Sequence, residues 1–435
     1  MIRLLAFACF LLVLTTPLRS QSPTTEMNPR RGWLTVDTIM QDPKWMGTSP
    51  DNVFWSEDGR KVYFNWRRGG DEGDSLYAVD SDGGTPAKVS FEERGHLPSR
   101  FGDYTRDRRM KVYSREGDLF LYDTKRNTET RLTKTLADES TPRFAFDGKK
   151  IVFTREGNLF ERTIGDGVET QLTNIQKGSK PSEDRKTDLQ KLTERQQLEL
   201  FEVLRERKSK RDAQKQYQES IAQRELKPFF VGQKNASAFV LSPDEHFITF
   251  VLSQRPADAK RTIVPSYVTE SGYTEDIPGR TMVGEPETKY EFYVYNVELD
   301  TVVQVKTDDI PDIIAKKAPG DTSKGKPKPR DVFFNGPYWS DDGKQAFVQV
   351  FSQDNKDRWI VLLDCANAKF GKLLDHQHDE AWIGGPGIQG FGFSTAIGWM
   401  PDSKRVYFQS EADGWSHLYT VSVDNGEKVQ LTKGR

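Results

Sequence analysis

Along most of this chain apolar and polar positions alternate rather than recur at helical spacing, as in Lys61-Val62-Tyr63-Phe64-Asn65-Trp66. Such alternation puts one set of side chains on each face of a sheet. The pattern repeats. "NVFWSEDGRKVYFNW" begins at Asn52, "TPRFAFDGKKIVFTRE" at Thr141, "AFVLSPDEHFITFVLS" at Ala238, "GPYWSDDGKQAFVQVFS" at Gly336 and "IGWMPDSKRVYFQSE" at Ile397. A degraded copy, "FGDYTRDRRMKVYSRE", begins at Phe101. Each copy is an apolar strand end, a polar turn that is often Asp-Gly, and an alternating strand. Asp-Gly accepts the positive φ of a tight hairpin. A third strand follows in most copies ("SLYAVD", "DLFLYD", "NLFERTI", "EFYVYNVE", "RWIVLLD", "HLYTVSVD"), and a fourth carries a tag such as "AKVS", "TRLT", "TQLT" or "VQLT".

Four antiparallel strands per unit, in units of roughly 40–50 residues, predict β-propeller blades. The fold class is therefore all-β. About six recognisable four-stranded blades fall at 48–90, 101–135, 140–174, 236–305, 336–375 and 397–434, as part of a seven- or eight-bladed ring, and the propeller domain spans 48–435. A set of separate meanders or a sandwich is the competing architecture, and the shared closing tag argues against it.

Two segments break the rhythm. Residues 179–227 are densely charged with both signs interleaved, and Leu189, Leu192, Phe201 and Leu204 offer a narrow apolar stripe. This predicts a solvated helix or helical hairpin inserted between blades three and four. Residues 315–331, "AKKAPGDTSKGKPKPRD", predict a flexible Pro/Lys/Gly-rich loop.

Composition narrows the setting. The formal net charge of −2 carries no basic bias toward nucleic acid. "MIRLLAFACFLLVLTTPLRSQS" has a basic start, an apolar run too short to span a bilayer comfortably, and small polar residues near Ser20. It predicts a signal peptide over 1–20, hence export to the periplasm or the extracellular space and no membrane association after cleavage. The two cysteines are Cys9 and Cys365, so the mature chain keeps one thiol and no internal disulfide.

Motifs for chemistry are sparse. No Gly-x-Ser-x-Gly elbow occurs, and "GFGFSTAIG" around Ser394 has the wrong spacing. "GPGIQG" from Gly385 neither follows a clear strand nor opens a helix, so it reads as a loop rather than a dinucleotide site. "HQHDE", His376 to Glu380, gathers ligand-type residues, but its bland reading is a solvated inter-blade loop. "GDEGD" and "DSDGG" are hairpin turns that do not continue as calcium loops. Trp415 and His417 open a blade strand, where Trp packs the sheet and His bonds a neighbouring blade. No metal and no cofactor is expected.

The blade openings, the "SEADGWSHLYTV" block from Ser410 and the "QLT" closures resemble the N-terminal propeller of the prolyl oligopeptidase family of serine peptidases, in particular its dipeptidyl peptidase IV branch. "VPSYVTESGYTEDIPGRTMVGEPETKYEFYVYN" from Val264 and "DEAWIGGPG" from Asp379 are similar to bacterial members of that branch. The resemblance implies a propeller that filters peptide substrates for a C-terminal α/β-hydrolase domain with a Ser-Asp-His triad. It also implies a pair of adjacent glutamates gripping the substrate amine.

The sequence departs from that pattern. The last blade ends at Gly434, so the hydrolase domain and every catalytic residue are expected beyond Arg435, with "MNPRRGWLTVDTIM" from Met27 supplying a strand toward ring closure. Glu92-Glu93 is an adjacent pair but lies between blades one and two. Glu199 and Glu202 share one face of the expected insertion helix and are the candidate substrate-amine binders; surface ion pairing with Arg195 and its neighbours is the competing reading. The expected function is the substrate-gating propeller of a secreted, dipeptidyl-peptidase-like serine peptidase, with endopeptidase or acylaminoacyl-type activity left open. The alternatives are a free-standing periplasmic six-bladed propeller that binds proteins, and a propeller enzyme with its chemistry in the channel.

Overall fold

The computed structural model describes residues 36–40, 48–68, 71–180, 187–221, 225–282, 284–314, 329–384, 388 and 396–434. The expected signal peptide, most of the 315–331 loop and most of the "GPGIQG" and "GFGFSTAIG" stretches lie outside these residues. The chain forms two compact units, Met1–Leu97 and Pro98–Arg435.

The first unit holds a short helix α1 (Val36–Ile39), the four strands of blade one, β1 (Asp51–Trp55), β2 (Lys61–Trp66), β3 (Ser75–Asp80) and β4 (Ala87–Lys88), and helix α2 (Phe91–Gly95). The strand expected before blade one is corrected where it is described: Val36–Ile39 is helical. Blade one packs through aromatics, with Phe54 stacked on Tyr63 at 5.2 Å and Trp66 edge-on to Tyr77 at 5.3 Å. Its closing tag ends in Ser90, which caps α2. Ser90 Oγ accepts from Glu93 N at 3.1 Å and the Glu93 carboxylate accepts from Ser90 N at 3.0 Å, a reciprocal pairing that satisfies two orphan donors.

The second unit holds five more blades. Blade two comprises β5 (Asp103–Tyr104), β6 (Met110–Arg115), β7 (Asp118–Asp123) and β8 (Thr128–Arg131); blade three comprises β9 (Glu139–Phe144), β10 (Lys150–Arg155), β11 (Asn158–Thr163) and β12 (Glu169–Gln171). A parallel pair, β13 (Ile175–Gln176) and β14 (Phe229–Phe230), brackets helices α3 (Asp188–Leu200) and α4 (Glu202–Ile221). Blade four is β15 (Asn235–Leu241), β16 (Phe247–Gln254), β19 (Lys289–Asn296) and β20 (Thr301–Val305), with the hairpin β17 (Arg261–Ser266) and β18 (Glu275–Thr281) inserted between its second and third strands. Blade five is β21 (Val332–Trp339), β22 (Ala346–Ser352), β23 (Asp357–Asp364) and β24 (Lys369–His378). Blade six is β25 (Ile397–Trp399), β26 (Arg405–Ser410), β27 (His417–Ser422) and β28 (Lys428–Gln430).

Consecutive blades of this unit pack face to face. Val112 and Leu121 of blade two meet Ile151 and Phe153 of blade three. Val152 and Leu159 then meet Ile248 and Phe250 of blade four. Phe292 and Val294 meet Val348 and Val350 of blade five, and Phe347 and Ile360 meet Val406 and Phe408 of blade six. Opposite faces of one alternating strand thus serve two different cores, as a propeller requires. Each such side chain contributes about 1.5–3 kcal/mol by burial.

The innermost strand carries a repeated irregularity. Register shifts in blades one, three, four and five coincide with a left-handed residue, namely Asn52, Thr141, Ala238 and Gly336. Each precedes the left-handed turn residue of its own blade, Gly59, Gly148, Glu245 or Gly343, by the same interval. A bulge of this kind bends the strand and sharpens its twist.

Candidate functional site

The turns between first and second strands are built alike. Asp58, Asp107, Asp244 and Asp342 each accept from a Ser or Thr hydroxyl two residues earlier, at 2.6, 2.7, 2.6 and 2.7 Å. Each also accepts from a backbone N–H two residues later. Blades three and six put Ala145 and Met400 at the hydroxyl position and keep the backbone half, Lys149 N to Asp147 at 2.9 Å and Lys404 N to Asp402 at 2.9 Å. The hydroxyl bonds from Ser56, Thr105 and Ser340 hold the carboxyls of Asp58, Asp107 and Asp342 below the usual range.

In the second unit these turns converge. Arg106 Nη2 of blade two donates to the Asp341 carbonyl of blade five at 3.0 Å, and its guanidinium lies 3.9 Å from the ring centre of Phe146 in blade three. A Cβ on Gly343 of blade five would sit 2.8 Å from Pro243 Cβ of blade four and 3.3 Å from Phe146 Cζ. Asp342 N donates to Ser403 Oγ of blade six at 3.3 Å. Two cavities open beside this cluster, and Phe146 lines both. One of about 950 Å³ lies between blades two and three beside Tyr104, Arg109 and Phe144. The other, about 730 Å³, lies between blades four and five beside Phe247, Trp339 and Cys365.

A second cluster gathers on blade five. The loop expected over "HQHDE" begins only at Asp379: His376 and His378 belong to the end of strand β24, on one face of it. Asp357 stands opposite His378 on β23 and is 1% exposed. His376 Nε2 and His378 Nδ1 lie 2.8 and 3.0 Å from the same Asp357 oxygen, Oδ1, while Arg330 donates to the other. Burial opposes a charge on Asp357, yet the bonds from Arg330, His376 and His378 keep its carboxyl below the usual range. The Asp357 bond, then Glu380, raises His378 above its ordinary value. His376 also stacks on Trp359 at 5.1 Å, and Trp359 Nε1 donates to the Pro311 carbonyl at 2.9 Å. The arrangement consumes both histidines in holding one carboxylate. Among the described residues no group of three or more His, Cys, Asp and Glu is disposed to hold a metal ion.

Glu199 and Glu202 do not share a helix face. Glu199 lies in the last turn of α3 and Glu202 opens α4, with Phe201 between them in extended conformation (φ −114°, ψ 107°). Both are exposed. His417 bonds within its own blade rather than to a neighbour: its Nδ1 is 3.2 Å from Oγ1 of Thr432, the last residue of the "QLT" tag. The same threonine accepts from Leu418 N at 2.9 Å, as Thr133 does from Leu119 N and Thr173 from Leu159 N, at 2.8 and 2.9 Å. The closing tag is thus a latch between fourth and third strands. Arg330 and Asp357 escaped the sequence reading because they are distant from the histidines along the chain. The His-x-His alternation was the one local sign that the stretch is a strand.

Among the described residues no helix is long and apolar enough to cross a membrane. No curated protein matches the sequence significantly. Among solved structures, the chain is similar to dipeptidyl peptidase 4 of Porphyromonas gingivalis at 15% identity and a TM-score of 0.45, with 88% of this chain and 47% of that one covered. A Bacteroides ovatus protein assigned as a dipeptidyl aminopeptidase IV gives 13% identity and a TM-score of 0.43, with 89% and 47% covered. An oligogalacturonate lyase solved with manganese gives 12% and 0.39, with 89% and 79% covered. The chain thus spans about half the length of the two dipeptidyl peptidase structures. The model of the dipeptidyl peptidase IV N-terminal region matches residues 103–181 and 232–435, blades two to six without the helical insertion. Over more than half its length, then, this sequence carries the pattern of one family, and the chain belongs to the dipeptidyl peptidase IV N-terminal region family.

Proposed function

We propose that the chain is the substrate-gating propeller of an exported serine peptidase whose α/β-hydrolase domain is encoded beyond Arg435. The observation that carries this reading is the family match across five consecutively packed blades. The convergence of Arg106, Phe146, Pro243 and Gly343 supports the gating role, because turns held that close together favour passage of an unfolded peptide over a folded domain. Chemistry in the complete protein is acyl transfer: serine attack, histidine as base, then hydrolysis. Glu199 and Glu202 remain the proposed amine binders. Both are exposed and acidic, and a rearrangement at Phe201 has to bring them together. The leader 1–20 is removed on export, leaving Gln21 as the first residue.

The test compares the 435-residue chain with the product of the whole coding region. A fluorophosphonate probe labels the longer product and leaves the shorter one unlabelled. The longer product releases p-nitroaniline from unblocked dipeptidyl anilides faster than from N-acetylated ones. Labelling of the 435-residue chain itself overturns the reading. N-terminal sequencing of exported protein reports the cleavage site.

A further inference from the structure

Three aromatic side chains line the 730 Å³ cavity between blades four and five: Phe146, Phe247 and Trp339. The Trp339 indole nitrogen is sealed from solvent, so what its side chain offers the cavity is ring carbon. Phe146 already holds one cation, the Arg106 guanidinium, 3.9 Å from its ring centre. Arg106 lines the other cavity, between blades two and three. Aromatic rings attract cations through their negative faces, and a planar guanidinium stacks on them.

Two carboxylates, Asp244 and Asp342, line the same cavity. They flank Pro243 and Gly343, whose turns are in contact. Each spends Oδ1 on its own turn, accepting from a serine hydroxyl and a backbone N–H. That anchoring fixes the carboxylate and leaves Oδ2. Asp244 Oδ2 has no hydrogen-bond or ion-pair partner among the described residues. Asp342 Oδ2 has Lys344 Nζ at 3.9 Å, from a side chain that is 79% exposed. An exposed pair of that length is weak and yields to a better-placed cation. Lys372, the other lysine of the lining, is bound to the Val423 and Asp424 carbonyls at 2.8 and 2.7 Å. The Cys365 thiol, also in the wall, is pushed up to about 12 by burial and then by the charges of Asp244 and Asp364, so it stays neutral. The volume lies within the range of small-molecule pockets.

We propose that this cavity is a guanidinium site: it takes a ligand carrying a planar guanidinium on an alkyl chain, with the cation against the aromatic walls and its N–H groups directed to Asp244 Oδ2 and Asp342 Oδ2. The rings supply stacking, and the two anchored carboxylates supply charge and orientation. Nothing in this site depends on a hydrolase domain beyond Arg435.

The experiment is a saturation-transfer NMR titration of the full chain with N-acetyl-argininamide and its neutral isostere N-acetyl-citrullinamide. Wild type binds the arginine probe about fivefold or more tightly than the citrulline probe. Agmatine, which bears the same guanidinium on a free amine, distinguishes a peptide side chain from a free guanidine: the tighter of the two guanidinium probes names the source. Asp244→Asn combined with Asp342→Asn keeps an acceptor oxygen for each turn and removes both charges. It abolishes the preference for arginine and leaves the citrulline probe unchanged. Ala366→Arg sets a resident guanidinium at an exposed position of the lining and weakens the arginine probe about threefold or more. Circular dichroism checks that each variant folds, and if the double variant does not, Ala366→Arg decides. Absence of arginine-probe binding to folded wild type overturns the proposal. So does equal binding of the arginine and citrulline probes, a preference that survives the double variant, or arginine-probe binding unaffected by Ala366→Arg.

Discussion

Arg106 and Asp341 meet although they belong to blades two and five: the guanidinium Nη2 donates to the Asp341 carbonyl at 3.0 Å. The same guanidinium covers Phe146 of blade three, so one exposed side chain ties three turns. Arg106→Ala removes a cation–π contact and one hydrogen bond. We expect a loss of about 1 kcal/mol, read as a fall of about 1–3 °C in the melting temperature. An unchanged melt means the tie is not populated in solution.

Gly343 and Gly148 separate two costs of adding a methyl group. Both have left-handed φ, +71° and +70°. At Gly148 the added Cβ meets only Thr105 Cγ2, at 3.6 Å, so Gly148→Ala costs about 1 kcal/mol of backbone strain. At Gly343 it runs into Pro243 at 2.8 Å, so Gly343→Ala adds overpacking and costs about 2–4 kcal/mol in all. Urea titration of the two variants checks the ranking.

Thr173 is buried, and its Oγ1 accepts from Leu159 N at 2.9 Å while donating to Asn158 Oδ1 at 3.1 Å. Thr173→Val keeps the shape and strands a buried N–H, at a cost of about 1–3 kcal/mol. Thr432 makes the equivalent bond to Leu418 N from an exposed position. Thr432→Val should cost less than about 1 kcal/mol, because water replaces the bond. Equal losses at the two sites contradict the latch as described.

His378 is held above its ordinary value of 6.5, first by Asp357 and then by Glu380. A raised histidine adds stability that is fully present below 6.5 and is lost as pH rises through its folded value. The melting-temperature difference between wild type and His378→Gln should therefore be largest in mildly acidic buffer and shrink above pH 6.5. Asp357 works in the opposite sense. Its lowered carboxyl stabilises above 3.8 and loses that contribution as the solution is acidified further.

The hairpin β17–β18 pairs only with itself among the described residues and is exposed along nearly its whole length. Gln254 and Lys289 face each other at the ends of β16 and β19. Replacing 255–288 with Asn-Gly closes that pair through a two-residue turn. The melt should move by less than about 2 °C, since little apolar area leaves the core.

The blades were legible because their signals are local. Alternation gives the strands, Ser-x-Asp-Gly the turns and Gln-Leu-Thr the closure, and each has a bonding role now visible at Asp342 and Thr173. The left-handed residues of the inner strands were not legible. Asn52, Thr141, Ala238 and Gly336 share no side-chain chemistry, and what they share is an interval from the turn. The Asp357 cluster was half legible. His-x-His is short-range, but Arg330 and Asp357 are brought to it by strand pairing, which local pattern does not encode. The break at Phe201 was hidden as well, because the residues around it are ordinary helix formers and none is a Gly or Pro stop signal.

The parallel pairing of Ile175 with Phe229 and Gln176 with Phe230 places the exit and re-entry of the α3–α4 segment side by side. Hydrogen-bonded strands lie about 4.8 Å apart. Chain can therefore be added, removed or exchanged between those two points while the register of blades three and four stays fixed. The family pattern resumes at 232 after stopping at 181, on either side of that junction. The junction thus uncouples the length of the α3–α4 excursion from the packing of the blades it interrupts.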